Sequence, residues 1–101
     1  MKDMIFGIGK NPDSEEADFD GPPFWVYISD KKTWDETKFS NDHVDEEVIE
    51  ILCQNGFAPT METVFEPVRY PDSSKDELRK MLEDLDFVYD EKFESFMDSS
   101  F

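Results

Sequence analysis

The chain has 101 residues, of which 26 are Asp or Glu and 10 are Lys or Arg, so its formal net charge is −16. This charge argues against direct binding of nucleic acid and against docking on anionic membranes, since both need Lys and Arg. Aromatic residues make up 15% of the chain, which is unusual for a disordered acidic segment. The length therefore predicts a single small acidic domain over residues 1–101.

The sequence contains no apolar run long enough for a membrane helix or a signal peptide. Its single cysteine, Cys53, cannot form an internal disulfide, which is typical of the reducing cytoplasm. We therefore expect a cytoplasmic protein. We recognise no cofactor motif and predict none.

Two strands are predicted in the first third of the chain, over residues 3–9 and 24–29. Met4, Phe6 and Ile8 alternate with other residues in the first strand, and alternation is the signature of a strand. Large side chains fall on both faces of the second strand, so either this strand is central or one of its faces is covered by another part of the molecule. Between the two strands, residues 11–23 are acidic and rich in turn formers, which predicts a loop. Residues 31–39 are predicted as a turn and loop.

Three helices are predicted in the rest of the chain. In the first, Asp42 is the expected N-cap, an apolar face carries Val48 and Leu52, and Gly56 ends the helix. Ile49 and Cys53 widen that face, so a buried thiol is expected. The second helix begins with the capping box Ser74-x-x-Glu77, and the third is predicted to start at Asp90.

A third strand is predicted over residues 60–66, between Pro59 and Pro67. The predicted order of elements is therefore β-β-α-β-α-α, which is an α+β layout. We expect a small antiparallel sheet of about three strands, packed on one face against two or three helices.

Motifs for metal binding and catalysis are weak in this chain. Glu16, Asp18, Asp20 and Gly21 imitate the start of a calcium loop, but the position of the bidentate Glu is occupied by Tyr27. His43 and Cys53 lie ten residues apart, about 15 Å along a helix, which excludes a direct dyad.

The segment Gly7–Lys10 lacks the Gly-Lys-Ser/Thr ending of a phosphate loop. We predict no metal site and no enzymatic activity.

The arrangement of charge is the most informative feature. Residues 11–30 contain six acidic residues, residues 39–68 contain seven, and neither segment contains Lys or Arg. Soluble surfaces usually mix both signs. In the first predicted helix, Glu46, Glu47 and Glu50 lie opposite the apolar face, as neighbours about 5–6 Å apart at Cβ. Such a row can imitate the phosphates of a nucleic-acid strand.

The sequence therefore predicts a small acidic inhibitor that presents carboxylates to a basic partner, such as a nucleic-acid-binding protein or nuclease. The predicted partner-binding carboxylates lie in the first helix, the loop and the third helix: Glu46, Glu47, Glu50, Asp13, Glu15, Glu16, Asp18, Asp20, Asp90, Glu91 and Glu94. In size and charge, the chain resembles phage-encoded acidic inhibitors such as anti-restriction and anti-CRISPR proteins. This resemblance is one of type and transfers no site residues.

An immunity or adaptor protein is the alternative, in which an aromatic patch with an acidic rim binds a basic protein surface. The patch would contain Trp25 and Tyr27 beside Phe24, since Trp and Tyr are enriched at interface hot spots. The sequence leaves open whether these residues belong to the core or to an interface. It also leaves the oligomeric state open.

Overall fold

The computed structural model describes residues 3–40 and 43–100, which form one five-stranded sheet and four helices. The strands are β1 (Met4–Lys10), β2 (Phe24–Asp30), β3 (Phe57–Met61), β4 (Val64–Pro67) and β5 (Val88–Tyr89). The helices are α1 (Lys31–Thr37), α2 (Glu46–Gln54), α3 (Lys75–Asp84) and α4 (Glu91–Asp98). A short 3₁₀ helix occupies Pro12–Glu15 in the loop after β1.

The strand order is β3-β4-β2-β1-β5, and the sheet is mixed because β5 runs parallel to β1 while the other neighbouring pairs are antiparallel. The predicted three-stranded antiparallel sheet is therefore wrong, although the broader α+β class is confirmed.

The single strand predicted over residues 60–66 is wrong, because these residues span the end of β3, a turn at residues 62–63 and most of β4, which together form a hairpin. Pro59 is not the strand boundary that the sequence predicts, because it lies inside β3. β3 is an edge strand, where a missing N–H is tolerated. The register shifts between Pro59 and Met61. Because this irregularity interrupts the pairing of the two strands, the alternation of side chains predicted one strand instead of a hairpin.

Two further elements were missed. Strand β5 has only two residues, too few to show alternation. Helix α1 replaces the predicted loop over 31–39: Asp30 caps it by accepting a hydrogen bond from the Thr33 N–H at 3.1 Å. Its only buried residue is Trp34, and Lys38 ends it in the left-handed conformation at φ 59°. A single apolar residue does not produce a helical period, so the cap was the only sequence signal.

The remaining helices agree with the sequence. Helix α3 has both hydrogen bonds of its capping box, between Ser74 and Glu77. In α2 the N-cap is Asp45, and Gly56 follows the helix at φ 90°. The predicted N-cap of α2, Asp42, lies outside the described residues.

Both faces of the sheet are covered, whereas helices were expected on one face only. Phe6, Ile8, Val26 and Ile28 form one core, with α2 and α3 packed on them. On the other face lies a second core, to which α1 and α4 contribute. Its residues are Ile5, Trp25, Tyr27, Trp34, Val64, Phe93 and Met97. The large side chains on both faces of β2 are explained by this double covering and by its central position.

Candidate partner-binding surface

Helix α2 presents its carboxylates to solvent, as its periodicity predicts. Glu46, Glu47 and Glu50 are all exposed, whereas Val48 and Leu52 are buried against the sheet. Glu46 and Glu50 are one turn apart, and Glu47 lies beside them. This side of α2 is a continuous carboxylate surface.

Among the residues that the structure describes, these three glutamates form no ion pair. The ion pairs within the described ranges join Lys10 to Glu15, Lys75 to Glu94 and Arg79 to Glu83. Glu50 instead accepts a hydrogen bond from the Gln54 side-chain amide at 3.3 Å. The negative potential of α2 is therefore not neutralised by a neighbouring cation within the described chain.

Cys53 lies on this same exposed side of α2, three residues after Glu50. The prediction that the thiol is buried is wrong, because Cys53 is exposed. At 100° per residue it stands on the far flank of the apolar face, close to the direction of Glu46 and Glu50. Alkylation of this exposed thiol can therefore be used to measure whether this side of α2 is accessible.

The acidic loop after β1 is held at its base and exposed along its length. Asn11 is buried, and its side chain donates to the Pro22 carbonyl at 3.0 Å and accepts from the Asp13 N–H at 3.0 Å. Lys10 pairs with Glu15 at 3.2 Å in an exposed ion pair. The loop carboxylates that were predicted to bind a partner are all exposed: Asp13, Glu15, Glu16, Asp18 and Asp20.

The three carboxylates at α4 that were predicted to bind a partner differ from one another in burial. Glu91 is exposed, and half-buried Asp90 caps the helix by accepting a hydrogen bond from the Phe93 N–H at 2.9 Å. Glu94 is buried, with 8% of its surface exposed. It accepts hydrogen bonds from the Ile8 N–H at 3.0 Å and from the Lys75 ammonium at 2.7 Å. The apolar period of α4 does not predict this burial, because the period includes Phe93 and Met97 and places Glu94 on the flank of their face.

Glu94 completes the edge of the sheet where β5 ends. The Asp90 N–H donates to the Phe6 carbonyl at 3.1 Å, and the next outward N–H of β1 belongs to Ile8. No residue of β5 reaches that far, so the Glu94 carboxylate takes the place of a strand carbonyl. An unpaired backbone N–H there would be costly. Gly7 permits the approach, because a Cβ on it would lie 2.7 Å from the Cα of Glu94.

The pKa of Glu94 is lowered by its neighbours. Burial alone would raise this pKa, but hydrogen bonds from Lys75, the Ile8 N–H and the Tyr89 hydroxyl outweigh the burial. Burial and the Glu94 carboxylate in turn raise the pKa of Tyr89 to about 12. The Arg79 guanidinium lies 4.0 Å from the centre of the Tyr89 ring. Glu94 is therefore a charged structural group.

The aromatic residues of β2 belong to the interior. Trp25 is 8% exposed and Tyr27 is 1% exposed, both in the second core, while Phe24 is half-buried against the first. The Tyr27 hydroxyl donates to the Asp98 carboxylate at 2.8 Å. Burial and this carboxylate raise the pKa of Tyr27. As packed, Trp25 and Tyr27 offer little surface to a partner.

The sheet separates the predicted site residues into different regions. Helix α2 covers one face and α4 covers the other, while the acidic loop joins the ends of β1 and β2. The three carboxylate groups therefore do not form one flat surface.

The structure does not support the weaker motifs of the sequence. Gly7–Lys10 lies in β1 rather than in a loop, and its glycines make room for α4 and the Tyr27 hydroxyl. Within residues 3–40 and 43–100, no three His, Cys, Asp or Glu side chains form a group that could hold a metal ion. None of the helices in that part of the chain is long and apolar enough to cross a membrane.

Comparison of the chain with protein-family models, with curated proteins and with solved structures finds no match.

Proposed function

We propose that this protein is a non-catalytic binding protein whose α2 carboxylates occupy a basic nucleic-acid-binding site on a partner protein. The observation that carries the proposal is the exposed, unneutralised row of Glu46, Glu47 and Glu50 on a regular helix. In an inhibitory role, the partner would be a nuclease or a defence protein, and the row would exclude DNA or RNA from it. A phage-type anti-defence protein is one form of this proposal.

The carboxylates of α2 are spaced densely enough to resemble the phosphates of a nucleic acid. With its N-cap Asp45, α2 offers four carboxylates, all within residues 45–50. These positions span about 7.5 Å at a rise of about 1.5 Å per residue. One strand of DNA carries about two phosphates in that length and a duplex carries about four, so the α2 carboxylates approach the charge density of a duplex.

The proposal can be tested by capture from cell lysate with a charge-matched control. We would compare the wild-type chain with Glu46→Lys/Glu47→Lys/Glu50→Lys and with Asp13→Lys/Glu15→Lys/Glu16→Lys. Both triple variants change the charge by the same amount, at different places. Captured proteins should be released by about 0.5 M salt and by DNA or RNA, since phosphate-like contacts are strongly salt-dependent.

We expect the α2 variant to lose the partner while the loop variant retains it. Equal losses in both variants would mean that net charge, rather than the α2 row, holds the partner. Release by salt but not by DNA or RNA would favour the alternative, a basic protein surface that binds no nucleic acid. Protection of the Cys53 thiol from alkylation in the complex would place the partner on α2.

The aromatic form of the alternative hypothesis lacks a supporting observation. It requires Trp25 and Tyr27 at the surface, and both lie in the second core.

A further inference from the structure

A surface notch lies between the end of α2, the segment after β4 and the second half of α3. Phe57, Met81 and Leu85 supply its apolar lining, and the remaining lining residues are Asn55, Arg69, Tyr70 and Asp84. Two exposed apolar side chains belong to the segment beside it, since Val68 is 54% exposed and Tyr70 is 58% exposed. Exposed apolar residues next to a concave surface are typical of interaction sites.

The segment that carries Val68 and Tyr70 is fastened to the end of α2. The N–H groups of Val68 and Arg69 both donate to the Gly56 carbonyl, at 2.7 and 3.2 Å. The Arg69 guanidinium donates to the Gln54 carbonyl at 3.3 Å. The notch is therefore a preformed feature, and Arg69, a cation in its lining, is directed at the negative end of the α2 dipole.

One side of α2 leads from the carboxylate row to the notch. Glu47, Ile51 and Asn55 follow one another at intervals of four residues, so they lie along one side of α2, and Asn55 lines the notch. About 12 Å of helix separates Glu47 from Asn55 at a rise of about 1.5 Å per residue. A partner segment of a few residues can reach both. Because residues 39–68 contain no Lys or Arg, charge complementarity favours a basic segment.

We infer that the notch holds an apolar side chain of the basic partner, while Lys or Arg residues beside that side chain contact the α2 row. This inference rests on the proposed function and narrows the partner to a basic segment with an apolar anchor. The anchor would add specificity, since a row of carboxylates attracts any cationic surface. The anchor would also slow dissociation, since most differences in affinity between related complexes are differences in the dissociation rate.

Two synthetic peptides of equal length and equal arginine content provide the test, one with a central leucine and one with serine in its place. Each peptide is titrated into the full chain while amide NMR signals are recorded. Burial of a leucine side chain favours binding in proportion to the apolar area removed from water, and an open notch buries only part of that area. We therefore expect about tenfold tighter binding of the leucine peptide, with signal changes at Val68, Tyr70 and Leu85.

Substitutions separate the notch from the row. Val68→Ser/Tyr70→Ser should remove the advantage of the leucine peptide and leave the serine peptide unchanged. Phe39→Ser is the matched control, because Phe39 is 64% exposed but packs on Phe96 of α4, on the other side of the sheet. This control should leave both peptides unaffected. Unchanged amide spectra outside the substituted segment would confirm that each variant is folded.

The outcomes distinguish this inference from the proposed function. Equal binding of both peptides, abolished by Glu46→Lys/Glu47→Lys/Glu50→Lys, would overturn the anchor and leave the α2 row standing. Binding of the leucine peptide that survives this triple reversal would contradict the role of α2. Absence of binding by either peptide at low salt, or signal changes centred on Phe39, would overturn the inference.

Discussion

Helices α2 and α4 share a pattern, with acidic residues beside an apolar stripe, but the fold uses their carboxylates in different ways. In α2, Glu46, Glu47 and Glu50 all lie in solvent. In α4, Glu94 is buried against β1 and Asp98 accepts a hydrogen bond from Tyr27. Helix α2 leaves its carboxylates in solvent, whereas α4 is attached to the sheet through two of its acidic side chains.

The strands beneath the two helices explain this difference. On the α4 side, Gly7 has no side chain, so the backbone of α4 can approach β1 closely. The early end of β5 leaves the Ile8 N–H for Glu94 to satisfy. On the α2 side, the sheet presents an apolar surface that includes Phe57 and Phe65. An apolar surface offers no donor to a carboxylate, so acidic side chains remain in water.

The largest expected effect that distinguishes the two helices is on stability. Glu94→Ala leaves a buried N–H and an ammonium group without their acceptor, so the free energy of unfolding should fall by about 3 kcal/mol. Glu50→Ala in α2 should change it by less than about 0.5 kcal/mol. Urea unfolding followed by circular dichroism measures both. Equal losses would mean that the two glutamates have equivalent roles.

Gly7→Ala should destabilise the protein by about 2 kcal/mol, because the new Cβ forces α4 away from β1. Gly21→Ala is the control. A Cβ there would meet only the far end of the Phe19 side chain, which can move. Thermal unfolding of both variants would measure the difference, and an unaffected Gly7→Ala protein would refute the close packing of α4.

Glu94→Gln should reveal the pH dependence of the α4 attachment. The pKa of Glu94 is lowered from 4.5 on folding, so its charged form stabilises the protein above pH 4.5. This contribution is lost as the pH falls through the folded pKa. The wild type should exceed the variant by about 1–2 kcal/mol at pH 7, and the gap should shrink below pH 4.5. A gap that is independent of pH would show that Glu94 acts only through its shape.

Tyr27→Phe has the smallest expected effect, a loss of about 1 kcal/mol, because it removes one hydrogen bond to Asp98. Tyr70→Phe is the control, since Tyr70 is 58% exposed and should tolerate the change. Guanidinium unfolding of the two variants would provide the comparison. Equal stability in both would indicate that Asp98 does not help to attach α4.

The local elements of this fold could be predicted from the sequence. The capping box at Ser74, the N-cap at Asp90 and the apolar period of α2 act within a few neighbouring residues, and the structure contains all three helices. The exposure of Glu46, Glu47 and Glu50 followed from the same period. Helix α1, with one apolar residue, and β5, with two residues, lacked a period and were missed.

The sequence by itself determined the acidic composition, the three periodic helices and the placement of the α2 carboxylates, because each depends on residues that are close along the chain. Only the tertiary structure decided the mixed strand order, the covering of both faces and the burial of Glu94, Trp25 and Tyr27. Those features depend on pairings such as Ile8 with Glu94, which lie 86 residues apart. A local pattern does not depend on such a contact, so similar acidic residues lie in solvent in one helix and stabilise the fold in another.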